Sequence, residues 1–388
     1  MEAWIGELRA KFEGVFGAGG KTFLVRAPGR VNLIGEHTDY NDGFVCPMAI
    51  EPEVRIVCRL NESGKVRIAS TVFAGQVAEF SVQEKIERGE PKWGNYMRGV
   101  AAELIGAGIP LSGMEAMYDN TLPVGGGLSS SAAIEVGTGI ALLTLAGLKM
   151  DAMRLALICQ KAEHEYAGVP CGIMDQMIVA TGKAGHATLF DCRSMEKQFV
   201  PMDEKELRVV IVNSMVKHEL SGGEYAERRK QCEEAVAYFH RENPMVKALR
   251  DVSMKQVEEA KGKLDDLVFR RARHVVGENA RAVEAAGAIG RKDYERAGEL
   301  MVQSHNSLRD DYEVSCEELD YLSAEAMKIK GVYGARMTGG GFGGCIVALV
   351  QPRAVEGFAA QLAKSYQGKY GIVPQVIVTR AMGGAGAI

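Results

Sequence analysis

Between Ala27 and Tyr40 the chain reads Ala-Pro-Gly-Arg-Val-Asn-Leu-Ile-Gly-Glu-His-Thr-Asp-Tyr, so that Arg30, Glu36, His37, Thr38 and Asp39 fall within ten residues. Arginine offers a planar fork of donors that matches phosphate or carboxylate oxygens. Glutamate, histidine and aspartate side chains can fix the hydroxyls of a small polar substrate. Polar groups this dense, set between apolar runs, suit the rim of a ligand site better than a core strand. A charged surface turn is the competing reading.

A second block, Pro123-Val-Gly-Gly-Gly-Leu-Ser-Ser-Ser-Ala132, has the composition of a phosphate cradle. Gly125, Gly126 and Gly127 let the backbone turn tightly and show its N–H groups to an anion. The helix expected to follow adds orphan N–H donors and the positive end of its dipole. Ser129, Ser130 and Ser131 add hydroxyls, one of which can reach a metal on the phosphates. An ordinary tight turn with a serine cap is the plainer alternative. Further on, Cys171-Gly-Ile-Met-Asp-Gln176 sets Asp175 among apolar neighbours, and Lys161-Ala-Glu-His-Glu-Tyr166 carries Glu163. Taken alone, Asp175 reads as a helix cap and Glu163 as part of a solvated helix face.

Two other glycine motifs fail on context. Gly19-Gly20-Lys21-Thr22 has Val15 where a P-loop needs its first glycine, and an amphipathic helix rather than a strand precedes it. Gly339-Gly-Gly-Phe-Gly-Gly344 fits G-x-G-x-x-G, but Cys345-Ile-Val-Ala-Leu-Val350 after it reads as a strand, where a dinucleotide site must open a helix. That argues against a Rossmann dehydrogenase.

Together these blocks resemble, in order, the motifs of the galactokinase family within the GHMP small-molecule kinase superfamily. The likeness runs from about Arg26 to Val350. The resemblance implies an α+β, two-domain fold: a domain like the second domain of ribosomal protein S5 over 1–200 and a ferredoxin-like domain over 201–388. It implies ATP-dependent phosphorylation of D-galactose at the anomeric hydroxyl, the entry step of galactose catabolism. It makes Asp175 the base or orienting group and Arg30 the stabiliser of charge on the transferred phosphoryl group. Glu36, His37, Thr38, Asp39 and Tyr225 become sugar contacts. Gly125, Gly126, Gly127, Leu128, Ser129, Ser130 and Ser131 become the ATP cradle, and Ser131 with Glu163 the protein ligands of Mg²⁺. Met337-Thr-Gly-Gly-Gly-Phe-Gly-Gly-Cys345 resembles the third family motif, which packs against both sites. Ser304-His-Asn-Ser-Leu-Arg-Asp-Asp311 and the residues after it resemble a galactokinase segment, with Asp310 and Asp311 near the cleft. Two places depart from the family pattern near the presumed sugar loop: Met215 stands where asparagine is common, and Gly222-Gly223 where serines are. A kinase for N-acetylgalactosamine or arabinose would keep the same ATP motifs. A galactose- and ATP-binding sensor without catalysis would not need the intact Ser129-Ser-Ser-Ala-Ala133 run.

Positioning these groups takes mixed elements. Trp4, Ile5, Leu8, Phe12, Val15 and Phe16 recur at helical spacing. Strands are predicted over 21–26, 54–60, 66–70, 114–120, 207–213, 345–350 and 375–379. Helices are predicted over 97–106, 129–148, 151–167 and 354–366, with a mostly helical stretch from 225 to about 330. The terminal Gly-Gly-Ala-Gly-Ala-Ile is expected to fray. With 388 residues, 47% of them apolar, the chain can bury two cores. A net charge of −4 with mixed signs offers no patch for nucleic acid or an anionic membrane. Eight scattered cysteines without a Cys-x-x-Cys pair fit reduced thiols. An acidic N-terminus lacks the basic region of a signal peptide, so a cytoplasmic protein is expected; the expected assembly is a monomer or weak dimer.

Overall fold

The computed structural model describes residues 3–123, 125–217 and 223–388. Helix α1 (Ala3–Phe16) buries Ile5, Leu8 and Phe12, the stripe its spacing predicts. The strands that follow are β1 (Thr22–Asn32), β2 (Phe44–Val45), β3 (Pro47–Asn61), β4 (Lys65–Ser70), β5 (Val77–Ser81) and β6 (Gly113–Asn120), with α2 (Asn95–Gly106) inserted between the last two. Then come α3 (Ser130–Leu145), α4 (Ala152–Ala162), α5 (Met174–Thr181), β7 (His186–Asp191), β8 (Lys197–Pro201) and β9 (Arg208–Lys217). The second half holds α6 (Glu224–Glu242), α7 (Met254–Glu259), α8 (Asp266–Gly290), α9 (Tyr294–Ser307) and α10 (Glu317–Met327). It closes with β10 (Val332–Thr338), β11 (Gly343–Val350), α11 (Val355–Tyr370), β12 (Gln375–Thr379) and β13 (Gly386–Ala387).

Three sheets organise these elements. One has six strands in the order β13-β1-β3-β6-β4-β5, one four in the order β10-β11-β9-β12, and one three in the order β2-β7-β8. The first two sheets each carry helices, the mixed α+β layering expected of the sequence. Two large apolar cores result. The first takes in Val25, Ile56, Val136 and Ile178, and the second Val212, Phe269, Leu322 and Phe358. Helix α8 serves both: Val268, Phe269, Ala272, Val275 and Val276 lie in the second core, and Ala282, Ala285, Ala286, Ala288 and Ile289 in the first. At 25 residues and ~1.5 Å per residue, it is long enough to do so.

Several expectations need correction. The arginine motif begins inside a strand, where one was expected only over 21–26: β1 runs through Ala27, Pro28 and Arg30 to Asn32. Its pairing with β3 shifts register between Pro28 and Arg30. The strands β2, β5, β7, β8 and β10 are absent from the sequence reading, and β8, on a sheet edge with four exposed residues in five, lacks the apolar run that marks a buried strand. The helix expected to run to Ala167 leaves α-geometry at Ala162, and residues Glu163–Ala167 form one wider turn. The C-terminal tail does not fray. Ala387 and Gly386 pair with Val25 and Arg26, and Ile388 N–H donates to Leu24 O at 3.0 Å. Those backbone bonds tie down a segment whose glycines alone suggest freedom. All eight cysteines are free thiols. Among the described residues, no helix is long and apolar enough to cross a membrane.

Candidate active site

The register shift at the end of β1 builds the first part of the site. A Cβ at Gly29 would sit 2.2 Å from Leu122 Cδ2 and 2.8 Å from Leu128 O, so only glycine lets β1 touch the glycine-serine loop. The next residue, Arg30, donates its N–H to Leu128 O at 3.1 Å. Its side chain crosses the loop. Nη1 donates to Gly127 O at 2.6 Å, while Nε and Nη2 grip Asp175 Oδ1 and Oδ2 at 2.6 and 2.7 Å. This is the fork-on-carboxylate pairing that arginine geometry favours. Burial opposes the Arg30 charge, but Asp175 and then Glu36 outweigh it and push its pKa up.

Asp175 stands in the first turn of α5. It also accepts a hydrogen bond from the Ser129 hydroxyl. Ser129 adopts a left-handed conformation (φ 58°) just before α3, which is uncommon for a residue with a side chain. Gly125 and Gly127 have positive φ as well. Leu128 is buried beneath the loop. The third glycine motif closes over it: Cys345 Sγ–H donates to Gly126 O at 2.9 Å, and a Cβ at Gly339 would lie 3.0 Å from Gly127 O.

On one side of Asp175 lies a cavity of about 170 Å³, lined by Glu36, His37, Asp39, Tyr225 and the Cys171-Gly172 backbone among others. At about 30 Å³ per water, that is the volume of roughly five or six waters, so it suits one small polar molecule. Glu36 Oε1 accepts from Gly339 N–H at 2.8 Å, with the Thr338 hydroxyl at 3.1 Å. His37 Nδ1 is 2.8 Å from Tyr40 OH, which is 2.7 Å from Tyr312 OH. Its Nε2 is buried without a partner. Burial, then His274, lower the His37 pKa to about 3, so the imidazole is neutral near pH 7. Burial, then Asp175, raise Asp39 to about 7. A Cβ at Gly172 would fall 1.8 Å from Asp39 Oδ2, so this glycine leaves room for that carboxyl. Tyr225 leans on His37 and Tyr40, with ring centroids 5.8 and 5.2 Å apart.

Thr38 stands apart from its neighbours. Its hydroxyl turns back to Gly35 O (2.9 Å) and Phe44 O (2.7 Å), so it shapes the loop rather than the cavity wall. Asp310 and Asp311 are also occupied elsewhere, with Arg309 and Arg273. Tyr312, one residue on, is the member of that segment behind the cavity. Met215 lies on β9 with φ 61° and 56% exposed. Of the second departing position, Gly222 lies outside the described residues, while Gly223 precedes α6.

On the other side of Asp175 is a carboxyl cluster that the sequence reading only half found. Gln176 Nε2 sits 2.5 Å from Glu163 Oε2 and 3.1 Å from Glu135 Oε2, all three buried. The Ser131 hydroxyl lies against Glu163 and offsets part of its burial penalty. Burial, then Asp175, raise the Glu163 pKa. Burial, then Glu163, raise that of Glu135. No described lysine or arginine forms an ion pair with Glu163 or Glu135, so the cluster lacks positive charge. No group of three or more His, Cys, Asp or Glu side chains forms a metal cage among the described residues. A magnesium ion held by one or two protein groups and by phosphate oxygens fits both facts.

A second cavity, of about 160 Å³, opens beside Ser130 at the start of α3 and is walled by Phe73, Trp93, Tyr96 and Tyr118. Phe73 and Trp93 stack with centroids 5.4 Å apart and planes 4° from parallel. Such a box suits a flat, largely apolar ring. The sequence reading missed it. Its one signal is Trp93, one of two tryptophans in the chain, in Pro-Lys-Trp-Gly-Asn-Tyr96.

Comparison with known proteins bears on this geometry. A galactokinase galactose-binding signature matches residues 10–60, the GHMP kinases N terminal domain residues 95–183, and the GHMP kinases C terminal region residues 285–368. The galactokinase of Homo sapiens is 45% identical over 387 residues, spanning 98% of this chain and 96% of its own length. That of Chloroflexus aurantiacus is 44% identical over 381 residues, spanning 98% and 97%. The crystal structure of Lactococcus lactis galactokinase complexed with galactose superposes with a TM-score of 0.95 at 35% identity, covering 99% of each chain. The mevalonate kinase of Methanococcus jannaschii shares the fold at a TM-score of 0.65 and 19% identity, covering 94% of this chain and 100% of that one.

Proposed function

The chain belongs to the galactokinase family, and we propose that its cleft carries the γ-phosphoryl group of ATP to the anomeric hydroxyl of D-galactose. The observation that carries this reading is the position of Asp175. It is tied at once to Arg30 and Ser129 of the phosphate side and faces the small polar cavity on the other. A hydroxyl held in that cavity would meet a phosphoryl group held over residues 125–131.

Phosphoryl transfer asks mainly for positioning and charge stabilisation. The loop and the N-terminus of α3 hold the phosphates through backbone N–H groups, and the aromatic box beside Ser130 takes the nucleotide base. Glu36, His37, Asp39 and Tyr225 hold the sugar hydroxyls. His37 enters as a neutral donor or acceptor, and Asp39 accepts once ionised. Asp175 orients the attacking hydroxyl or takes its proton, and Arg30 stabilises the charge on the transferred group. Magnesium would be held by Ser131 and Glu163, and it supplies charge neutralisation on the phosphates. The lobes divide near residue 200, with strand β13 returning to the first.

ADP release with ATP and Mg²⁺ across galactose, glucose, arabinose and N-acetylgalactosamine tests the reading. Galactose is expected to be preferred over glucose by ~10²-fold or more in kcat/KM, because the wrong epimer leaves a buried polar group unpaired. ADP release that follows N-acetylgalactosamine or arabinose instead would overturn the sugar assignment. No turnover with any sugar, alongside galactose binding, would indicate a sensor.

A further inference from the structure

The sugar loop is not held by its own lobe alone. Glu278, in the middle of α8 and wholly buried, accepts the backbone N–H groups of Gly35 and Glu36 on one oxygen, at 2.9 and 3.2 Å. The Ser304 hydroxyl donates to the same oxygen at 2.6 Å, and Arg281 Nε to the other at 2.8 Å. Its neighbour Asn279 accepts the N–H of Phe44 at 2.9 Å, at the far end of the loop. One turn earlier His274 donates from Nε2 to Glu36 O at 3.1 Å. Residues 274 and 278 share one helical face, and 279 lies about 100° round from 278.

The fit leaves no slack. A Cβ at Gly43 would lie 2.2 Å from Asn279 Oδ1, and one at Gly35 only 2.5 Å from Phe44 O. His37 (φ 61°) occupies left-handed backbone, which costs a residue with a side chain and persists only where its surroundings hold it. The contact falls where α8 passes from one core to the other, between Val276 and Ala282. Glu278 stays ionised: burial opposes its charge, but Arg281, then His274, outweigh it and bring its pKa to about 2.

We propose that Glu278 is a positioning residue for the sugar: with Asn279 and His274 it clamps residues 35–44 so that Glu36, His37 and Asp39 converge on the cavity. Galactose affinity therefore depends on a residue in the other half of the chain that does not line the cavity. The inference rests on the reading of that cavity as the sugar site.

The test compares the whole protein with Glu278→Gln, with Asn279→Ala, and with Glu284→Gln on the exposed face of the same helix. Galactose binding is measured by calorimetry, alongside the KM for each substrate and thermal unfolding. Losing a charged hydrogen-bond partner predicts a galactose Kd and KM raised about tenfold or more in Glu278→Gln. The ATP KM is expected to stay within about twofold, with a smaller rise in Asn279→Ala and none in Glu284→Gln. Should Glu278→Gln fail to fold, Asn279→Ala, which keeps the carboxylate, carries the test independently. If both variants fold and bind galactose like the wild type, or if the two KM values rise together, the clamp is wrong. If the wild-type protein itself binds no galactose, it is the sugar reading that falls.

Discussion

The two sides of Asp175 are built on opposite principles. The proposed phosphate side is largely backbone against backbone: glycines at 29, 127 and 339 remove side chains so that strand, loop and third motif touch, and Arg30 and Cys345 add bonds to loop carbonyls. The sugar side is backbone held by buried polar side chains, among them Glu278, Asn279 and His274. Phosphate oxygens are spherical targets that many N–H groups serve equally. Sugar hydroxyls differ in direction only, so the groups that read them need fixed directions, and buried charge-assisted bonds supply these. Substitutions on one side should therefore move one substrate's constants and not the other's, and Asp175 alone should sit outside that division.

The largest effect is expected at that shared point. Asp175→Asn keeps the shape but weakens the grip on Arg30, and kcat should fall by ~10²–10⁴ while both KM values move little. Rapid-quench measurement of the first turnover checks it, and near-normal kcat in a folded variant would remove Asp175 from the chemistry. Stability should fall as well, since breaking a buried pair costs ~3–5 kcal/mol, discounted here because Asp175 is partly exposed.

Glu163→Gln should raise the Mg²⁺ requirement roughly tenfold, with activity partly restored at high Mg²⁺ and the galactose constants unchanged. Mn²⁺ titration followed by electron spin resonance reads the site directly. An unchanged titration would return Glu163 to a purely structural role.

A pH series sharpens the sugar side. With its pKa raised to about 7, Asp39 is protonated below that pH and accepts hydroxyls fully only above it. kcat/KM for galactose should thus rise as pH increases through about 7, a step that Asp39→Asn should abolish. The linkage to stability runs the other way. A raised carboxyl contributes stability that is complete below the ordinary carboxylate range and lost as pH rises through about 7. The smallest effect is expected at Met215, whose left-handed backbone costs a side chain ~1–2 kcal/mol. Met215→Gly should raise the unfolding midpoint slightly, and a lower midpoint would mean the strain is compensated locally.

What could be read from the sequence follows the same division. Gly125, Gly126, Gly127 and the serines after them read as a phosphate loop because the role proposed for them lies in local backbone, which composition records. The cluster from Arg30 to Asp39 shows its chemistry as plainly. Its support does not show, because Glu278 lies more than two hundred residues away on a helix whose acids look like any solvated face. Glu135 was hidden for a related reason: in a helix rich in small apolar residues nothing marks its partner, Gln176, forty-one positions on. Strand β10 was missed because Tyr-Gly-Ala-Arg-Met alternates poorly, although Ala335, Arg336 and Met337 are fully buried. The helix of 163–167 widened where Glu163 must turn inward, a departure that propensity does not encode.

On the proposed function, the cavity holding Asp39 reads the sugar while the glycine-serine loop reads ATP. Steady-state kinetics of Asp39→Ala with galactose and glucose, at saturating and limiting ATP, tests it most directly. The expected result is a galactose KM raised roughly tenfold or more, a galactose-to-glucose preference eroded from its wild-type value, and an unchanged ATP KM. A folded variant with the galactose KM and the epimer ratio of the wild type would contradict it.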